Sequence, residues 1–161
     1  MAPLMLLATA ALARGGHKKA DDAQPVEKFY SQGTLLLLTN NLPAAMKDFQ
    51  KADKISHHAY YACYLGMAEV RRRMGDLSGA LHEDNRALKV AGSNTQEMAN
   101  GLLIRGVLLS QMANGSKDKK LRRAAADFRK ALQFDPSLID ANFDLGVVRL
   151  RQSEWPKARR S

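Results

Sequence analysis

Disulfide chemistry is absent from this chain, because Cys63 is its only cysteine. A single cysteine excludes an intrachain disulfide framework and a paired-thiol redox site, and its expected role is to fill a small space in the core. Aromatic residues are also scarce, at 6% of the chain, so few rings are available for stacking on nucleic-acid bases. The apolar run 3–13 is too short for a permanent membrane-spanning helix.

A recognisable catalytic or metal-binding constellation is also missing. His57 and His58 are adjacent, so on a helix they point about 100° apart and cannot hold one ion together. His82 stands among charged residues, and His17 lies in a polar segment. No nucleophile is paired with a base, and no set of ligands has metal-binding spacing. The sequence therefore predicts no catalytic residues, no metal and no cofactor, and the protein is expected not to be an enzyme.

Hydrophobic residues make up 45% of the 161 residues, and Lys and Arg outnumber Asp and Glu by 25 to 16, a net charge of +9. The length and the Ala-, Leu-, Lys- and Arg-rich composition predict one all-helical domain. Residues 111–161 hold 12 basic and 6 acidic residues, so most of the excess lies in the C-terminal third. We interpret the basic clusters as solvated helix faces that favour an acidic protein or peptide partner. A nucleic-acid partner is disfavoured.

The N-terminal segment resembles an export signal. Residues 1–13 contain an apolar run that ends in Ala11-Leu12-Ala13, a small-x-small cleavage pattern, although no Lys or Arg precedes the run. We predict a signal peptide and a periplasmic or secreted location. The alternative is a cytoplasmic protein with an uncleaved leader. Residues 14–25 are predicted to be a polar linker, and residues 26–161 a repeat domain.

Three segments of this domain place two small residues around a central residue, at spacings of four and three. These triplets are Ala45-Phe49-Ala52, Ala80-Asp84-Ala87 and Ala124-Phe128-Ala131. Each follows a polar turn and an earlier helical pattern with a small residue on one face. Such recurrence predicts helix-turn-helix units, in which the small residues let two helices approach and the phenylalanine rings fill the space beside the crossing.

The order and period resemble the tetratricopeptide repeat, a helix-turn-helix unit of about 34 residues. The resemblance places repeats at 26–59, 61–93, 99–136 and 139–161, with "NGSKDKK" enlarging the third and the last one truncated. In the second repeat Ala68 stands in place of the usual glycine, and His57 replaces the usual proline at the end of the first. The resemblance implies an all-α, right-handed superhelical stack of about three and a half repeats.

In this family a concave groove lined by the first helix of each repeat binds a partner. The resemblance maps that lining onto Tyr30, Ser31, Thr34, Leu65, Glu69, Arg72, Arg73, Leu103, Val107, Phe143, Asp144, Val147 and Arg151. The mixture of apolar residues and arginines favours a peptide or helix with apolar anchors and an acidic residue. The chain is therefore predicted to be a non-enzymatic protein-interaction scaffold.

One subgroup of the family grips a C-terminal carboxylate with Lys, Asn and Arg at set groove positions. Those positions here hold Tyr30, Thr34, Gly66, Asn100 and Ile104, so the clamp is missing and a co-chaperone function is disfavoured.

Two other functions stay open at this stage. One is an N-terminal accessory module of a larger exported enzyme, for example a thioredoxin-like one, and the other is an RNA-binding helical repeat that uses residues 71–73 and 117–123. The short fourth repeat would leave part of its first helix uncovered, around Phe143 and Val147 or their neighbours Leu145 and Val148. A longer chain, a partner or a second copy would then cover it.

Overall fold

The computed structural model describes residues 20–153, and every regular element in that range is an α-helix. The seven helices are α1 (Ala20–Leu38), α2 (Leu42–Ile55), α3 (Tyr61–Arg73), α4 (Leu77–Ala91), α5 (Thr95–Gln111), α6 (Lys119–Phe134) and α7 (Ile139–Ser153). The all-α prediction is confirmed for this part of the chain. The predicted signal peptide, residues 1–13, and the predicted second helix of the fourth repeat lie outside the described residues.

Polar side chains fix where three of the helices begin. Asp76 accepts a hydrogen bond from the Gly79 amide at the start of α4, and Asn94 accepts one from the Glu97 amide at the start of α5. At the start of α6, Asp118 accepts a hydrogen bond from the Lys120 amide. Each bond satisfies a backbone donor that has no partner within its helix, so the polar turns seen in the sequence define the helix limits.

The first helix begins earlier than predicted. Residues 20–25, which were predicted to belong to the linker, are part of α1. Polar composition could not separate the two states, because a solvated helix carries the same polar residues as a linker. Similarly, α5 begins at Thr95, four residues before the predicted start of the third repeat at residue 99.

The helices pack as successive pairs in a stack. Each helix contacts its neighbours in sequence, and α1 also contacts α3 while α5 contacts α7. The first helices α1 and α3 therefore lie side by side, as do α5 and α7, and the second helices α2, α4 and α6 pack against the first helices. Within the described residues the stack comprises three helix pairs and α7.

Two phenylalanine rings determine how closely the helices approach. The Phe49 ring lies so near α1 and α3 that a Cβ atom added at Gly33 or Gly66 would be 2.9 or 2.6 Å from it. The Phe128 ring meets Gly106 on α5 in the same way, at 2.5 Å. The predicted crossing of a ring against a residue without a side chain is thus present in the first and third pairs.

The second pair departs from this arrangement. Its central residue, Asp84, is fully buried on α4 where the other pairs bury Phe49 and Phe128. Neither carboxyl oxygen of Asp84 has a hydrogen-bond partner among the described residues. Arg105, whose charge acts on Asp84, instead donates two hydrogen bonds of 2.8 Å to Asp127 and one of 3.2 Å to Asn85. A carboxyl group is therefore buried at this crossing without a hydrogen bond to either oxygen.

Candidate partner-binding groove

The residues predicted to line the groove all lie on the first helices of the repeats. Tyr30, Ser31 and Thr34 are on α1; Leu65, Glu69, Arg72 and Arg73 on α3; Leu103 and Val107 on α5; and Phe143, Asp144, Val147 and Arg151 on α7. Equivalent repeat positions recur from helix to helix, so the side chains follow one layer of the stack. Their surroundings differ greatly along it.

The α1 end of the layer is mostly occupied by contacts within the chain. The half-buried Tyr30 ring packs edge-on against Tyr60, with centroids 5.4 Å apart, and lies 5.8 Å from Phe49. The Thr34 hydroxyl donates a hydrogen bond of 3.0 Å to the Tyr30 carbonyl. Leu65, on the adjacent α3, is partly buried against the same cluster. Burial also raises the pKa of the Tyr30 phenol. Because Tyr30, Thr34 and Leu65 are engaged in contacts within the chain, this end of the layer has limited free surface.

Glu69 neutralises the arginine edge of α3. Its carboxylate accepts two hydrogen bonds from Arg72, at 2.7 and 2.8 Å, and one of 2.8 Å from Arg73. Burial alone would raise the pKa of the Glu69 carboxyl, but the hydrogen bonds from the two arginines outweigh it and hold that pKa below its usual value. The edge therefore presents less free positive charge than the sequence suggested.

Arg71, the third member of this basic cluster, is also paired. Its guanidinium donates a hydrogen bond of 2.8 Å to Asp76 and lies 3.4 Å from the Glu83 carboxylate. All three arginines of the 71–73 cluster are thus engaged by carboxylates of the chain itself. This pairing removes support for an RNA site at residues 71–73.

Two of the predicted partner contacts serve a structural purpose. Arg73 donates a hydrogen bond of 2.9 Å to the Leu37 carbonyl, near the end of α1. Arg151, at the equivalent position of the fourth repeat, donates one of 2.9 Å to the Ser110 carbonyl near the end of α5, and another of 3.3 Å to the Ala113 carbonyl. Guanidinium groups satisfy the last carbonyls of a helix and complement its negative end. Both side chains therefore cap the first helix of the preceding repeat.

The apolar residues of α5 belong mainly to the core. Leu103 is only 2% exposed, and Val107 packs, partly buried, against the same core cluster. The prediction that Leu103 is open to a partner is therefore wrong. The physical reason is that α5 is central, with α4, α6 and α7 packed around it.

The α7 end of the layer is open. Phe143 is 70% exposed and Val147 is 37% exposed, and the flanking residues Ile139 and Leu150 are 80% and 62% exposed. We call these four residues the α7 apolar face. The opposite side of the helix, which carries Ala141, Leu145 and Val148, is buried against the core. The sequence allowed either Phe143 and Val147 or Leu145 and Val148 to be the uncovered pair. The structure exposes Phe143 and Val147 and buries the other pair.

Sequence reasoning missed Ile139 and Leu150. Their spacing from Phe143 and Val147 follows i, i+4, i+8 and i+11, which is the signal that could have found them. The neighbouring Asp144 is half-buried, and burial, with a smaller effect of the Asp140 charge, raises the pKa of its carboxyl. The α7 apolar face is thus an uncharged strip with two acids beside it, the exposed Asp140 and the half-buried Asp144.

The described part of the chain was expected to hold no metal site, and its lone cysteine was expected to fill the core. Residues 20–153 hold no cluster of three His, Cys, Asp or Glu side chains that could bind a metal ion. Burial, together with the nearby Asp53 charge, raises the pKa of the Cys63 thiol to about 12, so this thiol is protonated inside the core. The described helices also include none with the length and hydropathy needed to cross a membrane.

The sequence matches no protein-family model and no curated protein. Several solved structures nevertheless have the same fold. The Yersinia enterocolitica type III secretion chaperone SycD, in complex with a peptide of the translocator YopD, is 15% identical with a TM-score of 0.67, over 84% of this chain and all of the chaperone chain.

Two further structures agree. The first TPR of Spaghetti (RPAP3), bound to the HSP90 peptide SRMEEVD, is 15% identical with a TM-score of 0.66, over 79% of this chain and 92% of its own. The Arabidopsis OM64 TPR domain is 19% identical with the same TM-score, over 80% of this chain and 97% of its own. The predicted architecture is confirmed: this chain has the fold of a tetratricopeptide-repeat domain.

Proposed function

We propose that this protein is a non-enzymatic interaction module that binds a peptide or helix of a partner protein along its first-helix layer. The observation that carries the proposal is the α7 apolar face, whose four large side chains are 37–80% exposed within one helix. Contiguous exposed apolar surface of this kind marks interaction sites in soluble proteins. A partner with large apolar side chains at helical or extended spacing matches this chemistry.

The paired arginines define what the groove recognises. Because Glu69 engages Arg72 and Arg73, and because Arg151 caps α5, these guanidinium groups have little left for an acidic partner. Recognition in the groove is therefore driven by apolar burial, and an acidic residue of the partner is not required there. The affinity is expected to depend only weakly on salt concentration.

Peptide binding by structures of the same fold supports the proposal. The RPAP3 domain is bound to an HSP90 peptide, and SycD is bound to a YopD peptide. The clamp for a C-terminal carboxylate is not expected here. At one clamp position, Gly66 lies beneath the Phe49 ring and has no room for a side chain. The bound segment is thus expected to be an internal one, held by its side chains.

The test is site-specific photocrosslinking in the native cells, with a photoreactive phenylalanine analogue at Phe143. A matched control carries the analogue at Leu35, which is 62% exposed on α1 but outside the predicted lining. We expect a defined crosslinked partner from Phe143 alone. That partner, once purified, should bind about tenfold or more weakly to Phe143→Asp and equally well to Leu35→Asp. Equal crosslinking at both positions, or none at Phe143, contradicts the proposal.

A second copy of the chain is the other occupant that this face could accept, through the homo-oligomer predicted for the fourth repeat. Light scattering coupled to gel filtration distinguishes the two. A dimeric mass that Phe143→Asp converts to a monomeric mass would assign the α7 apolar face to self-association. A monomeric mass in both proteins would leave the face free for a different partner.

We also propose that the protein is exported, on the strength of residues 1–13, which lie outside the described residues. The N-terminal residue of protein purified from its native cells tests this directly. A start at Arg14 is expected, since Ala11-Leu12-Ala13 is the cleavage pattern. An intact start at Met1 or Ala2 would contradict export by signal cleavage.

A further inference from the structure

The second helix of the third repeat carries a charge distribution that the groove does not explain. Five cationic side chains of α6 are exposed and fall within about one third of the helix circumference. They are Lys119, Arg122, Arg123, Arg129 and Lys130, and we call them the α6 basic stripe. The opposite side of α6, which includes Leu121, Ala124, Phe128 and Ala131, is fully buried in the core.

No carboxylate of the described residues pairs with the α6 basic stripe. The one acidic residue of α6, Asp127, is buried and receives both hydrogen bonds from Arg105. The preceding Asp118 pairs with Lys120, which lies outside the stripe, at 3.5 Å. In contrast, the arginines of α3 are all paired with carboxylates. Among the described helices, α6 therefore carries the largest number of exposed cations without a carboxylate partner, on the side away from the groove.

The basic residues at the start of α6 are unfavourable for the stability of the helix. Four of the first five residues of α6 are Lys or Arg, although the start of a helix carries partial positive charge and favours acids. Only the capping Asp118 compensates for them. Conflicts of this kind, left uncompensated by the chain itself, are expected where a surface is used for binding.

The spacing of the stripe matches a helical partner. Arg122 and Arg129 are seven residues apart, which is two helical turns or about 10 Å. Ala126 lies between them, is exposed, and has a side chain small enough for another helix to approach closely. From these observations we infer that α6 is a second docking surface, which binds an acidic helix of a partner protein with carboxylates two turns apart.

Two other anions fit less well. Nucleic acid without duplex structure is bound largely by stacking on several aromatic rings, and α6 exposes a single ring, Phe134, at its last residue. Helices that rest on anionic membranes insert several large apolar side chains beside their basic residues, whereas α6 exposes one, Phe134, four residues after the last cation of the stripe. The close approach permitted by Ala126 suits packing against a protein helix.

The test compares two synthetic helical peptides of about 20 residues with identical composition. In one peptide the glutamates form a single face with a two-turn repeat, and in the other they are dispersed around the helix. Binding to the full 161-residue chain is measured by fluorescence anisotropy over a range of salt concentrations. We expect the patterned peptide to bind about tenfold or more tightly than the dispersed one, with an affinity that falls as salt rises.

Charge-reversal variants locate the binding site. Arg122→Glu combined with Arg129→Glu should weaken binding of the patterned peptide about a hundredfold. Lys47→Glu combined with Lys54→Glu is the matched control. These lysines are exposed on α2, they are also seven residues apart, and their reversal changes the net charge equally. The control should change the affinity by less than about twofold. Circular dichroism and thermal unfolding of each variant verify the fold.

Four results would overturn the inference. The first is equal affinity for the patterned and dispersed peptides, and the second is an equal loss in the α2 control, since both would indicate nonspecific attraction to net charge. The third is no binding of either peptide. The fourth is that short duplex DNA, or vesicles containing phosphatidylserine, bind more tightly than the patterned peptide and that the α6 variant abolishes this binding. The surface would then bind nucleic acid or membrane. Phe143→Asp should leave peptide binding intact, which separates this surface from the groove.

Discussion

Asp84 gives the sharpest test of how the stack is held together. Its carboxyl group is fully buried on α4 and has no hydrogen-bond partner among the described residues. Burial raises the pKa of this group to about 8; Arg105 on α5 acts to lower the pKa and Asp127 on α6 to raise it further. Tyr61 on α3 also faces the carboxyl and stays neutral, because burial and the Asp84 charge raise its own pKa. Folded protein at neutral pH therefore carries Asp84 protonated.

The sign of the resulting pH dependence follows from proton counts. In the unfolded chain the group titrates near 3.8, whereas in the folded protein it titrates near 8. Below about pH 4 both states hold the proton and the stability is fully present. As pH rises from 4 to 8 the unfolded chain binds fewer protons than the folded protein, so the free energy of unfolding falls, and the loss is complete once pH passes 8.

The magnitude is large enough to measure. Each unit of difference in pKa corresponds to about 1.4 kcal/mol, so the loss between pH 5 and pH 8 is roughly 4 kcal/mol. Asp84→Asn keeps the shape of the side chain and removes the titration. We expect the free energy of unfolding of the variant, relative to that of the wild type, to rise with pH across this range and to level off above pH 8.

Urea unfolding followed by far-UV circular dichroism, at pH values from about 5 to 9, measures both proteins. A constant offset between the two curves is compatible with the argument, because the amide that replaces the carboxyl group is itself buried. The slope is the decisive quantity. Parallel curves between pH 5 and pH 8 would show that Asp84 is already ionised in the folded protein, and the reasoning from its burial would be refuted.

Three other variants test the packing, each by thermal or urea unfolding. Gly106→Ala places a methyl group 2.5 Å from the Phe128 ring and should cost about 1 to 3 kcal/mol; unchanged stability would mean that the ring moves freely. Ala131→Arg forces a charge into a fully buried site and should cost several kcal/mol, about 3 or more, and a neutral effect would contradict the alignment of the third repeat. Arg151→Met keeps most of the aliphatic part of the side chain but loses the hydrogen bonds that cap α5, so the free energy of unfolding should fall by about 1 kcal/mol. An unfolding midpoint equal to that of the wild type would disprove this role.

The fold was predictable because its determinants are local and repeated. The triplets around Phe49 and Phe128 place small and large residues at helical spacing, and the same two residues fill the crossings in the structure. Turn residues between the triplets mark the helix limits, since Asp76 and Asp118 act as caps. The start of α1 was not predictable in the same way, because residues 20–25 have the polar composition of either a helix or a linker.

The site was less predictable, because its residues are defined by contacts between helices. Repeat position alone placed Leu103, Arg73 and Arg151 in the groove lining, but burial removes the first, and hydrogen bonds to the ends of other helices engage the two arginines. Only the three-dimensional packing decides which side of α7 is left open. In that helix Phe143 and Leu145 are equally apolar in sequence, yet one is exposed and the other is buried.

The distribution of charge separates two kinds of recognition in one small domain. Carboxylates such as Glu69 pair with the arginines of α3, so the layer that ends in the α7 apolar face offers mainly apolar contact. On α6 the cations of the basic stripe have no carboxylate partner among the described residues, and contact there is electrostatic. Salt weakens attraction between exposed charges but hardly weakens apolar burial. Raising the salt concentration should therefore release a ligand of α6 while a ligand of the α7 apolar face stays bound, and a single titration with both ligands present would show whether the two surfaces act independently.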